Sequence, residues 1–568
     1  MGYRINKVAR IPKMNISFRL IQTALLALPV IFFTGTKDPF LIKETLTLIL
    51  LIGAFGFFIV NCLEQKNKTA LSPVLIAFLI FIAVELISIL NAKFPRLTVD
   101  IALIHLCLAF ALFYASTFSP NQTETILNTV LVSGLIVCTY GIFQRFGVDF
   151  VAWLTNYNGR PGSSLGNPNF FAGFIVVLIP VAVMQAFKTS GIIKFSWTAL
   201  LAMLLLNLVF TRTRGAWIAC GASLIFVFSL LKFSRKTFFV FVSMLILVSS
   251  VFLFNNSLLP RLSKTDGNPA VTERFFKWHV AMEMIKAHPV LGVGAGNLKV
   301  NFALYQYIVK EKFNFSLRGT SESNVHNEFL QVWAESGTMG LLAFILLFLV
   351  YFTVIFKNNP DDKLTYGISA GVAAFIIFCL TNFPLRIMPT AVTLFVLMGI
   401  SLRKPEIPVK EKAKPEKTKI NKSPVLRITV FSAGAIIIWV FAILPFCADV
   451  YRKMGTDAVA AGNYQKAVSC YEKAISLDKV HSERSAFELG EVYRAMQDWD
   501  KAIKAYSVSV GVRNYGEVYN CLGNCYYMKN NPEQAVFFWE KAKQLGLPDE
   551  LAQRNLENNL QIVKKKIK

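Results

Sequence analysis

The chain has 568 residues, of which 54% are apolar and only 16% charged, and it carries 50 Phe and a net charge of +25. Soluble proteins hold roughly 45–50% apolar and about 25% charged residues, so a single soluble globule and a disordered chain are both excluded. A charge of this size fits a nucleic-acid partner or the topology of a membrane protein, and where it sits along the chain decides which.

Thirteen stretches are apolar enough and long enough to be read as membrane spans: 17–35, 41–62, 71–90, 98–118, 124–145, 169–187, 195–211, 215–233, 237–254, 337–356, 365–382, 385–402 and 426–446. Basic residues precede the first (Arg4, Lys7, Arg10, Lys13) and no small-residue cleavage site follows it, so it is read as an anchor. With the N-terminus inside, the inner loops hold Lys66, Lys68, Lys188, Lys194, Lys232, Arg235, Lys236, Lys357 and Lys363. The outer loops are poorer, with Lys37, Lys93, Arg96, Arg160 and Arg386. This orientation puts the long loop 255–336 outside, and the thirteenth span carries the C-terminal part outside too. Residues 446–568 hold 18 Lys+Arg and 15 Asp+Glu, a balance of only +3, so +22 belongs to the membrane part and its tether. Nucleic acid therefore drops out. The expected organisation is a membrane domain over 1–402, a basic Lys/Glu/Pro-rich linker over 403–424 on the inner side, an additional span over 425–447, and a repeat domain over 448–568.

In that last part Met454-Gly455, Leu489-Gly490 and Leu522-Gly523 recur 35 and 33 residues apart. Each pair is followed at a fixed offset by Ala467, Ala502 or Ala535, and four residues later by Tyr471, Tyr506 or Trp539. The pattern resembles the tetratricopeptide repeat, a helix–turn–helix unit of about 34 residues in which small residues let paired helices approach and aromatics fill the gap. Residues 549–563 fit a terminal helix covering the open end. The repeats imply a protein partner and name none. The nine Cys form no framework: six lie in or beside apolar runs, and Cys521 and Cys525 are one helical turn apart, a poor disulfide geometry.

Polar groups at membrane depth are costly and default to functional hypotheses. Four clusters stand out on the outer face. Gly159-Arg160-Pro161-Gly162 precedes Gly166-Asn167-Pro168-Asn169, where Asn167 is placed to cap a helix beginning at Pro168. Thr211-Arg212-Thr213-Arg214-Gly215 joins two spans almost without a loop, and residues two apart on a helix face different ways, so one Arg is expected to face a cavity and the other the interface. Thr272 is expected to cap a helix running to Ala287 that contains Glu273, Arg274 and Lys277, and its Phe276, Val280 and Met284 share a face expected to lie on the membrane or over a cavity. Gly292-Val293-Gly294-Ala295-Gly296 mimics half of a dinucleotide fingerprint, but no strand precedes it. The last cluster, His326-Asn327-Glu328-Phe329-Leu330-Gln331, heads into a span. Several Arg suit a diphosphate, and a His near neutral pKa suits the deprotonation of an attacking hydroxyl. No HExxH, CxxC or DxD-type pair lies outside, so Arg cations are expected to take the place of a metal, and no cofactor is expected.

At the GNPN element (166–169), the TRG element (213–215), the Arg274 helix with GVGAGN (292–297) and HNEFLQ (326–331), the chain resembles the O-antigen ligase / O-antigen polymerase family of integral membrane glycosyltransferases over roughly 20–400. The resemblance implies an all-α, GT-C-like polytopic bundle of about 12–13 spans, here followed by an α-solenoid. It implies a metal-independent, inverting transfer of a glycan from a polyprenyl diphosphate carrier to a lipid A-core hydroxyl at the outer face of the cytoplasmic membrane. Arg214 and Arg274 would hold the diphosphate, and His326 would activate the acceptor. Arg212 and Arg160 would be further phosphate or glycan contacts, with Asn167 and Asn169 lining the cavity. A polymerase or a protein O-oligosaccharyltransferase would share this donor chemistry; a transporter or a repeat-based scaffold is the non-enzymatic alternative.

Overall fold

The computed structural model describes all residues except 1–14, 66–70, 152–156, 231–268, 314–322, 359–361, 404–423, 513–514, 548 and 568. The expected span at 237–254 and nearly all of the linker lie outside the described residues. Among the described residues the regular structure is helical throughout.

Twelve of the expected spans coincide with helices: α1 (Ile16–Val30), α2 (Leu41–Gln65), α3 (Pro73–Ile87), α4 (Pro95–Ala115), α5 (Pro120–Arg145), α6 (Pro168–Lys188), α7 (Gly191–Thr211), α8 (Arg214–Leu230), α11 (Glu328–Asn358), α12 (Lys363–Cys379), α13 (Met388–Ser401) and α14 (Pro424–Ile438). Between α8 and α11 lie α9 (Pro269–Ala287) and α10 (Leu298–Phe313). Eight of the helices are long and apolar enough to cross a bilayer; α1, α8, α12 and α13 are shorter apolar helices. Several begin with the same device, a capping side chain followed by Pro at the first helical position: Ser72–Pro73, Ser119–Pro120 with a full capping box, and Asn167–Pro168. α6 is buried along almost its whole length between neighbours, so it forms the axis of the bundle.

α11 contains a break that the pattern of apolar residues anticipates. Gly337 has φ +67, and a β-carbon there would collide with the backbone of Val290. The short segment 328–336 therefore stands apart from the apolar stretch that follows it. Thr338 N–H donates to Pro289 O at 2.9 Å, which ties the break to the turn after α9.

α14 runs through a π-turn at Trp439–Ile443 directly into α15 (Leu444–Ala460). The thirteenth span is thus continuous with the first helix of the first repeat, where a boundary at 447/448 was expected. α15 pairs with α16 (Tyr464–Leu477), α17 (Glu483–Ala495) with α18 (Trp499–Val512), and α19 (Gly516–Met528) with α20 (Pro532–Leu545); α21 (Glu550–Ile567) closes the stack with Leu556, Leu560 and Val563. Gly455, Gly490 and Gly523 each lie against the aromatic ring expected for its repeat, Tyr471, Tyr506 and Trp539, and Ala467, Ala502 and Ala535 are fully buried. A β-carbon on Gly490 would stand 2.5 Å from the Tyr506 ring. Gly490→Val is accordingly expected to cost the repeat stack about 1–3 kcal/mol through overpacking. The check is the denaturant midpoint of the purified chain, which should fall; an unchanged midpoint contradicts this packing.

Candidate active site

The turns that join α7 to α8 and α12 to α13 meet the starts of α6 and α11 at one end of the bundle. Asn167 Oδ1 accepts the Asn169 backbone N–H at 2.8 Å and caps α6, while its Nδ2 donates to the Tyr157 hydroxyl at 3.2 Å. Asn169 Oδ1 accepts from Thr213 Oγ1 at 3.1 Å and from Arg160 Nη2 at 3.2 Å. Arg160 Nε donates to Thr211 O at 2.6 Å. The first two sequence clusters are thus one hydrogen-bonded unit, and Asn167 acts in it as a cap.

Arg212 and Arg214 lie at the ends of two different helices. Arg212 ends α7 in the left-handed region, at φ +51, and Arg214 starts α8, so the i, i+2 geometry of a single helix does not apply. Arg212 is half-buried and Arg214 exposed. Beside them Gly215 packs on Thr381, whose side chain occupies the place of a β-carbon.

Two further corrections concern α9. It starts at Pro269, so Thr272 lies inside the helix and does not cap it. Its Phe276, Val280 and Met284 are buried against Phe302 and Val325, part of a small core built with α10 and the start of α11, rather than lying on a membrane surface. α10 was not resolved as a partner in the sequence, because 298–313 mixes Lys with scattered apolar residues. The other side of α9 holds Glu273, Arg274 and Lys277, with Lys277 Nζ 2.9 Å from Glu273 Oε1 and itself buried. Burial pushes the Arg274 pKa down, Glu273 opposes that, and the positive charge of Arg214 adds to it. Arg214 and Arg274, 60 residues apart in sequence, therefore feel one another.

His326 sits in the turn before α11 at φ +55, with its ring in edge contact with Phe383 at a centroid distance of 5.1 Å. Trp278 Nε1 donates to Val325 O at 2.9 Å, and Glu328 N–H donates to Asn382 O at 3.1 Å, so both α9 and the α12–α13 turn hold this loop. Burial lowers the His326 pKa to about 4, helped by the charges of Lys277 and Arg274 and opposed by Glu273 and Asn382. Its buried Nδ1 and the nearby Asn382 Nδ2 have no hydrogen-bond partner among the described residues. The site thus joins a neutral imidazole to cations from two separate segments, with Asn169 and Asn382 lining the small cleft beside Phe383.

Sequence reasoning missed the framework beneath it. Arg386, counted as an outer-loop charge, donates through Nε to Glu328 (3.2 Å) and through Nη2 to Glu335 (2.7 Å), both buried. Glu85 of α3 meets His105 Nδ1 at 2.7 Å. Gly292–Asn297 is a structural clip: Val293 and Gly294 N–H donate to Ala334 and Glu335 carbonyls, and Asn297 bonds the backbone of Phe94 on both sides. The available signal was the acid pair at 328 and 335, seven residues or two helical turns apart, ahead of a lone Arg in a Pro-containing turn.

A family model described as O-antigen ligase matches residues 199–345, which contain Arg212, Arg214, Arg274 and His326. Tetratricopeptide repeat models match residues 458–481 and 485–508. Over 199–345 the chain is thus similar to O-antigen ligase proteins, and its C-terminal part to tetratricopeptide repeats. The chain is similar to a ComP-specific O-oligosaccharyltransferase of Acinetobacter baylyi, 28% identical over 247 residues that make up 42% of this chain and 43% of the relative. It is also similar to an uncharacterized protein of Haemophilus influenzae, 22% identical over 264 residues, 43% of this chain and 63% of that protein. The chain thus matches less than two thirds of the length of either relative.

Proposed function

We propose that the protein is a membrane glycosyltransferase of the O-antigen ligase type, which moves a glycan from a polyprenyl diphosphate carrier to an acceptor hydroxyl. The observation that carries this is a chain of neighbouring charges from segments far apart in sequence: Arg274 and Lys277 act on His326, and Arg214 acts on Arg274. In the proposed reaction His326 takes the proton of the acceptor hydroxyl as its oxygen attacks the anomeric carbon. The bond from that carbon to the diphosphate breaks with inversion, and the electron pair leaves on the diphosphate. Arg214 and Arg274 stabilise the charge that develops there, with Arg212, Arg160 and Asn169 further out. Lys277 joins this set, buried one turn from Arg274. A bound diphosphate offsets Arg274 and Lys277, so it also raises the His326 pKa from about 4 towards the range of a working base. The donor in this way prepares the base.

Lys188 and Lys194, at the opposite end from the site, together with Lys357, Lys363 and Arg403, support a cytoplasmic assignment for that end. In the proposed orientation the site and the repeat domain lie on the outer face of the cytoplasmic membrane. The units proposed are the membrane domain 1–402, the linker 403–424, the span 425–447 and the repeats 448–568, which also offer a surface for a protein partner. Ligase, polymerase and protein O-oligosaccharyltransferase activities share this donor step. The test is transfer from a polyprenyl diphosphate glycan by the reconstituted chain with Arg214→Ala and Arg274→Ala. Each is expected to lose about a hundredfold or more in rate, the scale of removing one transition-state donor, and EDTA is expected to leave the wild type active. Normal rates in both variants, or EDTA inhibition reversed by a divalent cation, overturns the metal-free mechanism.

A further inference from the structure

The first repeat does not hang free of the membrane part. Lys299 on α10 lies 3.6 Å from Glu483 on α17, Gln306 Nε2 donates to Leu545 O, and His481 Nε2 lies 3.6 Å from Asp100 on α4. On α15, Arg452 bonds Glu488 and Asp449, and the Asp449 carboxylate accepts the backbone N–H of Asp38 at 2.9 Å. Together with the unbroken α14–α15 helix, these contacts fix the repeats over the bundle.

Between the two lies a cavity of about 540 Å³, within the range of small-molecule sites. The bundle contributes Glu44, Asp100 and Arg386 to its lining, and the first repeats contribute Asp478, His481 and Arg484. Glu44 and Arg484 are exposed to this space, and neither forms an ion pair or hydrogen bond among the described residues. Phe40, Phe170, Phe383 and Phe441 supply apolar faces.

This lining selects by chemistry. Seven carboxylates against five Lys and Arg disfavour a diphosphate. Carboxylates accept paired hydrogen bonds from neighbouring hydroxyls, guanidinium groups donate to ring and hydroxyl oxygens, and phenyl rings cover the C–H faces of a pyranose. The cavity also reaches the reacting centre, because Ser323, Asn324 and Phe383 line it and Phe383 packs on His326. An attacking hydroxyl has to lie within hydrogen-bond reach of its base.

We infer that this chamber, walled by the membrane domain on one side and the first repeats on the other, binds the acceptor as a neutral or amine-bearing saccharide, with Glu44 and Arg484 as its free recognition groups. This rests on the proposed transferase function. The repeats then act as a fixed wall of the acceptor site as well as a protein-binding surface.

The test uses the full chain in nanodiscs, probed with a panel of bacterial oligosaccharides, with acceptor-type Ser/Thr peptides, and separately with undecaprenyl diphosphate. Wild type should bind at least one saccharide. Glu44→Gln and Arg484→Ala should each weaken that binding by about ten- to a hundredfold, the scale of one hydrogen bond to a charged group, at an unchanged melting temperature and unchanged undecaprenyl diphosphate binding. In transfer assays the same variants should raise the acceptor KM and leave the donor KM in place. Saccharide binding unaffected in both variants, or capture of peptide with no saccharide bound, overturns the inference. Failure of the function itself shows elsewhere, as undecaprenyl diphosphate binding that Arg214→Ala and Arg274→Ala do not weaken.

Discussion

Replacing His326 by Ala is expected to lower glycan transfer by about 10²–10⁴-fold, the usual contribution of a positioned base, with the chain still inserted and folded. The turn residue sits at φ +55, where Asn is tolerated better than Ala. His326→Asn is therefore the paired variant: it keeps the backbone at ease and still removes the base, so it should be as inactive as His326→Ala. The pH profile adds a second readout. With its pKa lowered to about 4, the imidazole of the free enzyme is neutral, hence competent as a base, throughout the neutral range and loses that form only as pH falls through about 4. The acid limb of kcat/KM should accordingly lie well below the ordinary His value of about 6.5, while the limb of kcat, which reports the donor-bound state, should lie higher. Activity retained in both variants would remove His326 from the reaction.

Arg386→Ala is expected to be the most damaging substitution for stability. It removes the cation that Glu328 and Glu335 share and leaves two buried carboxylates without it. Breaking a buried pair in this way costs about 3–5 kcal/mol. Arg386→Lys should rescue only partly, since an ammonium lacks the fork that reaches one carboxylate through Nε and the other through Nη2. The check is the melting temperature of the purified protein in detergent, with Arg386→Met/Glu328→Gln/Glu335→Gln as a charge-free comparison expected to recover much of the loss. A melting temperature unmoved by Arg386→Ala contradicts the role given to this network. Because Glu328 N–H also bonds Asn382 O beside His326, transfer should fall with stability in the single variant.

What the sequence made legible follows from periodicity and local chemistry. The membrane helices show as long apolar runs, the Asn167–Pro168 start as a cap followed by Pro, and the repeats as Gly–Ala–aromatic registers whose partners do touch. Even the break at Gly337 is implicit in an apolar stretch that begins there and not at Glu328. The illegible part is long-range. Nothing local announces that Arg386 answers Glu328 and Glu335, that Glu85 answers His105, or that α10 covers the apolar face of α9. Charge counting treats Arg386 as topology because the spacing of Glu328 and Glu335 marks an acid pair but does not name a partner 51 residues away. The chamber was hidden for the same reason. Glu44, Asp100 and Arg484 come from three remote segments, and the docking of the repeats on the bundle brings them to one space. The left-handed turn at Arg212 was missed because Arg is an unusual residue there.

The most direct test of the central claim is the in vitro transfer of a glycan from a polyprenyl diphosphate donor by the purified chain, with lipid A-core, carrier-linked glycan and peptide acceptors offered in parallel. The site described predicts metal-independent transfer to a saccharide-bearing acceptor that disappears in His326→Ala. Donor bound but never transferred to any of the three, or transfer that His326→Ala leaves intact, would contradict it.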